Sequence, residues 1–104
     1  MSRREIRVAP GFFDQVDAQL GSDRGPNGEP SATDFIALDL PVIIGYVAEQ
    51  FDDLPEVIDG VPAARMWVST GVLVPMFVVY AVLSDDGVVD LIAITIEDLP
   101  GFTY

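Results

Sequence analysis

Seventeen Asp and Glu residues, five Arg and no His, Cys or Lys define the chemistry open to this chain of 104 residues. Without imidazole it lacks the commonest general acid/base and the commonest transition-metal ligand. Without thiols it has no disulfide framework, thiolate nucleophile or thiolate zinc site, and it fits a reducing compartment. Without lysine there is no Schiff-base route. Carboxylates remain, with Asp52-Asp53 and Asp85-Asp86 as adjacent pairs, but nothing in their spacing supports a glycosidase or a metal site. Both pairs stand at turn positions, where Asp bonds its own backbone. No D-x-[DN]-x-[DN]-G calcium loop occurs. Ser31, Ser69 and Ser84 have no basic partner to activate them. The enzyme question stays open with the non-catalytic answer favoured, and no cofactor or metal is expected.

The elements that would position these groups follow from periodicity. Glu5–Val8 alternates polar and apolar as a short strand does. Phe12, Phe13, Val16 and Leu20 recur at helical spacing after Pro10-Gly11. Residues 21–30 hold three Gly and two Pro and read as a connector, lacking both the P-loop and the dinucleotide-binding pattern. Ser31-Ala32-Thr33-Asp34 resembles a capping box. Ile36, Leu40, Ile43, Val47 and Leu54 then form a helical stripe interrupted by Pro41. That predicts one helix kinked near Pro41 or two pieces, the second opening near Asp39.

The last third changes period. Arg65–Thr70, Val72–Leu83 and Val88–Ile96 are rich in β-branched and aromatic residues and predict a three-stranded antiparallel meander. Gly71 and Asp85-Asp86-Gly87 supply its turns, and Pro75 belongs at a bulge or near a strand's start. The expected fold is therefore a single α+β domain, residues 1–104: a strand, two helices and the meander.

Both faces of the central strand are apolar. Leu73, Phe77, Val79, Ala81 and Leu83 point one way, and Val74, Met76, Val78, Tyr80 and Val82 the other. On the next strand strict alternation puts Leu91 and Ala93 on one face and Ile92, Ile94 and Ile96 on the other. Two helices joined by a loop most simply cover one face, which leaves an apolar face for a partner. Candidate contacts are Arg65 at the start of the meander, Phe77 and Tyr80 on the central strand, and Phe102 and Tyr104 of the tail. Arg65 otherwise reads as a surface residue paired with an acid, replaceable without loss of the fold.

The charge sets the kind of partner. Residues 25–104 hold thirteen acids against Arg65 alone, and the net charge is −12. Such a surface repels phosphate backbones, so direct nucleic-acid binding is disfavoured and a basic protein partner fits. Arg3 and Arg4 are followed by an acid rather than an apolar stretch, so no signal peptide is read. Val72–Leu83 is too short to span a bilayer, and the chain is expected to be cytoplasmic and to make no membrane contact.

The order strand, helix, helix, meander and the run Val78-Val79-Tyr80-Ala81-Val82-Leu83-Ser84-Asp85-Asp86-Gly87-Val88-Val89-Asp90-Leu91-Ile92-Ala93-Ile94 resemble the RelE/ParE superfamily of bacterial toxin–antitoxin toxins. The opening Ile6-Arg7-Val8-Ala9-Pro10 before an aromatic helix fits too. The resemblance implies a toxin fold neutralised by a cognate antitoxin. Ribonuclease members carry basic residues on the meander. The arginine typical three residues before the hairpin tyrosine is Phe77 here, and Thr95, Ile96, Glu97 and Asp98 replace the basic residues after the last strand. The implied activity is therefore protein binding without RNA cleavage, with DNA gyrase or another protein as target and a homodimer as a further candidate assembly. A second reading is an acidic DNA-mimicking or immunity-like binder sharing only the fold.

Overall fold

A computed structural model describes residues 3–21 and 30–97. The elements are β1 (Ile6–Val8), α1 (Pro10–Leu20), α2 (Ala32–Gln50), a 3-10 turn (Phe51–Asp53), β2 (Ala64–Ser69), β3 (Met76–Leu83) and β4 (Val89–Glu97). The fold is α+β. β2, β3 and β4 form the expected meander, with β3 central. The N-terminal strand joins the same sheet, parallel to β4, giving a mixed four-stranded order β1-β4-β3-β2. β3 begins at Met76 rather than Val72, because Pro75 has no amide for the ladder and lies just before its start.

Local chemistry explains the helix ends. α1 opens on Pro10, whose missing amide would have had no helical partner there. It closes at Gly21, where φ is +78° and the amide donates to the Asp17 carbonyl at 2.9 Å. α2 opens on a reciprocal capping box: the Ser31 hydroxyl accepts from the Asp34 amide at 3.1 Å, and the Asp34 carboxylate accepts from the Ser31 amide at 3.2 Å. Pro41 lies inside this single helix, which decides between the two sequence alternatives. Pro41 and Ala37 are both exposed, so the carbonyl freed by the missing amide faces water.

One core joins the helices to one face of the sheet. Phe12, Val16, Phe35, Ile43, Val47 and Phe51 pack against Phe77, Val79, Ala81, Val89, Leu91 and Ile94. The inward set on β4 departs from simple alternation. Tyr80 pairs with Ala93 and Ala81 with Leu91, so Ile92 is the extra residue of a β-bulge. Leu91 and Ile94 therefore share the inner face, while Ile92 turns outward. This overturns the expected grouping of Ile92 with Ile94.

Side chains complete the backbone where strands stop. β1 pairs with β4 only as far as Leu91, and α1 follows. Gln15 accepts from the Ile94 amide at 2.8 Å. Gln19 donates to the Ile94 carbonyl at 2.9 Å and accepts from the Ile96 amide at 2.6 Å. One helical turn apart, the two amides stand in for the missing strand. At the other side of the core, the buried Asp39 carboxylate accepts from the Val72 and Leu73 amides and holds the β2–β3 loop. Gly71 is required there, because a Cβ would fall 2.6 Å from Val74 Cγ2 and 3.2 Å from Asp39 Oδ1.

Candidate protein-binding face

Every second residue of the meander points away from the helices. Register aligns these residues into rows across the sheet: Ala64, Val82 and Asp90; Met66, Tyr80 and Ala93; Val68, Val78 and Thr95; Met76 and Glu97. Val68 and Ile92 are the most open apolar groups here, at 47% and 42% of full exposure. Met66, Val78, Tyr80 and Val82 are half-buried. Phe12 and Val16 of α1 and Phe35, Leu40, Ile43 and Val47 of α2 belong to the core on the other side, so neither helix covers this face. Monomers rarely leave a contiguous apolar sheet face open unless it binds something.

The face is bordered by charge. The Arg7 guanidinium grips both Asp90 oxygens, at 2.5 and 3.0 Å, and reaches Asp86 at 3.3 Å. The Ser84 hydroxyl also donates to Asp90. These bonds, Arg7 first, hold the Asp90 carboxyl down at about 2. Asp86 is lowered chiefly by the Val88 amide and then by Arg7, and Arg7 itself is raised by its two carboxylates. Glu97 marks the opposite end. The face thus has an apolar centre, an ion-paired border at Arg7, Asp86 and Asp90, and a carboxylate at its other end.

The Asp85-Asp86-Gly87 sequence has a local job. The Gly87 amide donates to Ser84 O at 3.0 Å, the Ser84 amide to Val88 O at 2.9 Å, and the Val88 amide to Asp86 Oδ1 at 3.1 Å. With φ of +84° at Gly87, this is a tight hairpin turn with a glycine bulge. Among the described residues no cluster of three or more Asp or Glu could hold a metal ion. Among them, too, no helix is long and apolar enough to cross a membrane.

The residues named from sequence separate. Tyr80 lies on the outward face. Phe77 is in the core at 2% exposure, on the opposite side of β3. Arg65 points inward and is spent on the chain's own carbonyls: Pro62 O at 2.6 Å, Asp52 O at 2.9 Å and Leu54 O at 2.8 Å, with its guanidinium 5.5 Å from the Phe51 ring centre. It ties the end of α2 to the loop before β2. Phe102 and Tyr104 lie outside the described residues. Met66, Val68 and Ile92 were not singled out from sequence. The alternation Met66-Trp67-Val68 carried a signal for the first two. For Ile92 alternation sets it opposite Leu91 but groups it with the buried Ile94, since a bulge is set by pairing. No protein-family model, curated protein or solved structure matches the chain.

Proposed function

We propose that this protein is a cytoplasmic, RelE/ParE-like bacterial toxin-fold protein that works by binding another protein and is neutralised by a cognate antitoxin, without cutting RNA. The observation that carries the reading is the outward face of the meander, apolar across three strands and left uncovered by both helices. The hairpin run that resembles the superfamily builds the centre of that face, with Tyr80, Val78 and Val82 in it. The position where ribonuclease members place an arginine is Phe77, which is directed into the core. An acidic surface with an apolar centre favours a partner that brings Arg and Lys around apolar anchors. Such association slows as salt rises.

The test is inducible expression in bacteria, with and without the product of the adjacent reading frame. Growth arrest that this product relieves, together with a stable complex of the two, supports the reading. Val68→Asp or Tyr80→Asp should then abolish either the arrest or the complex while leaving the protein folded. A harmless protein that stays monomeric, ignores the neighbour's product and binds no hydrophobic dye overturns it.

A further inference from the structure

α2 is apolar on two sides. Phe35, Ile43 and Val47 enter the core. On the outward side Leu38, Val42 and Tyr46 follow one another at i, i+4 and i+8, with exposures of 52%, 55% and 41%. This places them on one stripe about 12 Å long. No charged residue of α2 interrupts the stripe: Asp34 stands one turn before it, and Glu49, paired with Arg3, just after it. A helix face that serves only to meet water carries charged and polar residues. Val72, 65% exposed, belongs to the loop whose Val72 and Leu73 amides Asp39 fixes to this helix.

The stripe is also held ready. Tyr46 stacks on Trp67 with ring centres 4.0 Å apart and planes 10° from parallel, and Trp67 meets Phe77 edge-on at 5.2 Å. A ring already fixed against the core loses little conformational freedom when it is covered.

We propose that Leu38, Val42 and Tyr46 form a second binding surface, on the helical side of the molecule, that takes an amphipathic helix with an apolar stripe flanked by Arg or Lys. Charge selects the occupant. The described arginines are all committed: Arg3 to Glu49, Arg4 to Asp52, Arg7 to Asp86 and Asp90, and Arg65 to backbone carbonyls. The uncompensated charge is therefore acidic, and the whole chain carries −12. A second copy brings the same excess and is repelled, whereas a cationic helix is drawn in. Apolar residues at matching i, i+4 and i+8 positions would lie along the stripe as helices do in binding grooves.

The probe is a synthetic helical peptide of about 15 residues with leucines at that spacing and arginines beside them, compared with a version carrying Glu in place of Arg. Trp67 is the single tryptophan and reports binding by its fluorescence, while backbone amide shifts locate the contact. The Arg peptide should bind, shift the amides around Leu38, Val42 and Tyr46, and weaken with salt. Leu38→Glu or Val42→Glu should lower its affinity about tenfold or more, and both exposed positions keep the fold, as circular dichroism will verify. Val68→Glu, on the outer sheet face, should leave affinity unchanged, so the result is independent of what that face binds. Equal binding of the Glu peptide, shifts centred on Val68 and Ile92, no binding at all, or self-association that Val42→Glu abolishes would each overturn the proposal.

Discussion

The two faces of the β2–β3–β4 sheet are built from similar side chains and meet different surroundings. Inside, Phe77, Val79, Ala81, Leu91 and Ile94 are sealed by α1 and α2 at 2% exposure or less. Outside, Met66, Val68, Val78, Tyr80, Val82 and Ile92 have, among the described residues, one another and the charged rim. Hydrophobicity does not separate the two sets, since both are mostly aliphatic with one large ring. Coverage separates them, and coverage is set by which side of the sheet the preceding helices fold onto. An inner residue is constrained by stability and an outer one by what it touches.

This contrast predicts a gradient of effects. Phe77→Ala empties a sealed site and should cost about 3–5 kcal/mol, with Val79→Ala at about 1–3 kcal/mol. Urea midpoints should fall accordingly at unchanged slope. If Phe77→Ala is nearly neutral, the inner face is not the core.

Asp39→Ala removes the buried acceptor of the part-buried Val72 and Leu73 amides and should cost about 1–3 kcal/mol, with Asn recovering part of it because one acceptor remains. Amide hydrogen exchange at Val72 and Leu73 should accelerate first.

Arg65→Ala removes the donors to three carbonyls and the stack on Phe51, and should cost about 1–3 kcal/mol. The sequence-based expectation was that the fold would tolerate this change. A melting temperature equal to wild type would restore that expectation.

Acid should act mildly on the rim. Asp90 titrates near 2 in the folded protein against an ordinary 3.8, so its pairing with Arg7 contributes stability above pH 3.8 that is lost as the pH falls toward 2. Asp90→Asn should flatten that segment of a melting-temperature profile, and added salt should shrink the difference, because the pair is exposed.

Outer-face changes should do least to the fold. Val68→Ser or Ile92→Ser should stay within about 0.5 kcal/mol of wild type while reducing hydrophobic-dye binding. A large loss of stability there would show that the outer face is packed.

Much of the architecture was legible because its causes are local. The capping box at Ser31 and Asp34 is a pattern within four residues, and the Ser84–Gly87 turn needs a glycine in a left-handed conformation. Pro75 had to sit outside a ladder. The two apolar sides of β3 follow from its alternation, so the separation of Phe77 and Tyr80 onto opposite faces was present in the spelling.

The remainder belonged to tertiary structure, because it depends on partners distant in sequence. β1 is too short to announce its neighbour, and only the assembled sheet shows it pairing with β4. Ile92 faces outward because β4 carries one residue more than β3 across the bulge. Gln15 and Gln19 read as polar helix residues until β4 presents its open edge. Asp39 reads as a turn or helix-start acid until the β2–β3 loop folds onto it, and Arg65 as a surface residue paired with an acid until Asp52, Leu54 and Pro62 turn their carbonyls toward it. Residue type and spacing determined which groups had to be buried, capped or turned. Which burial covered which face, and which polar group met which carbonyl, was decided when the helices chose one side of the sheet.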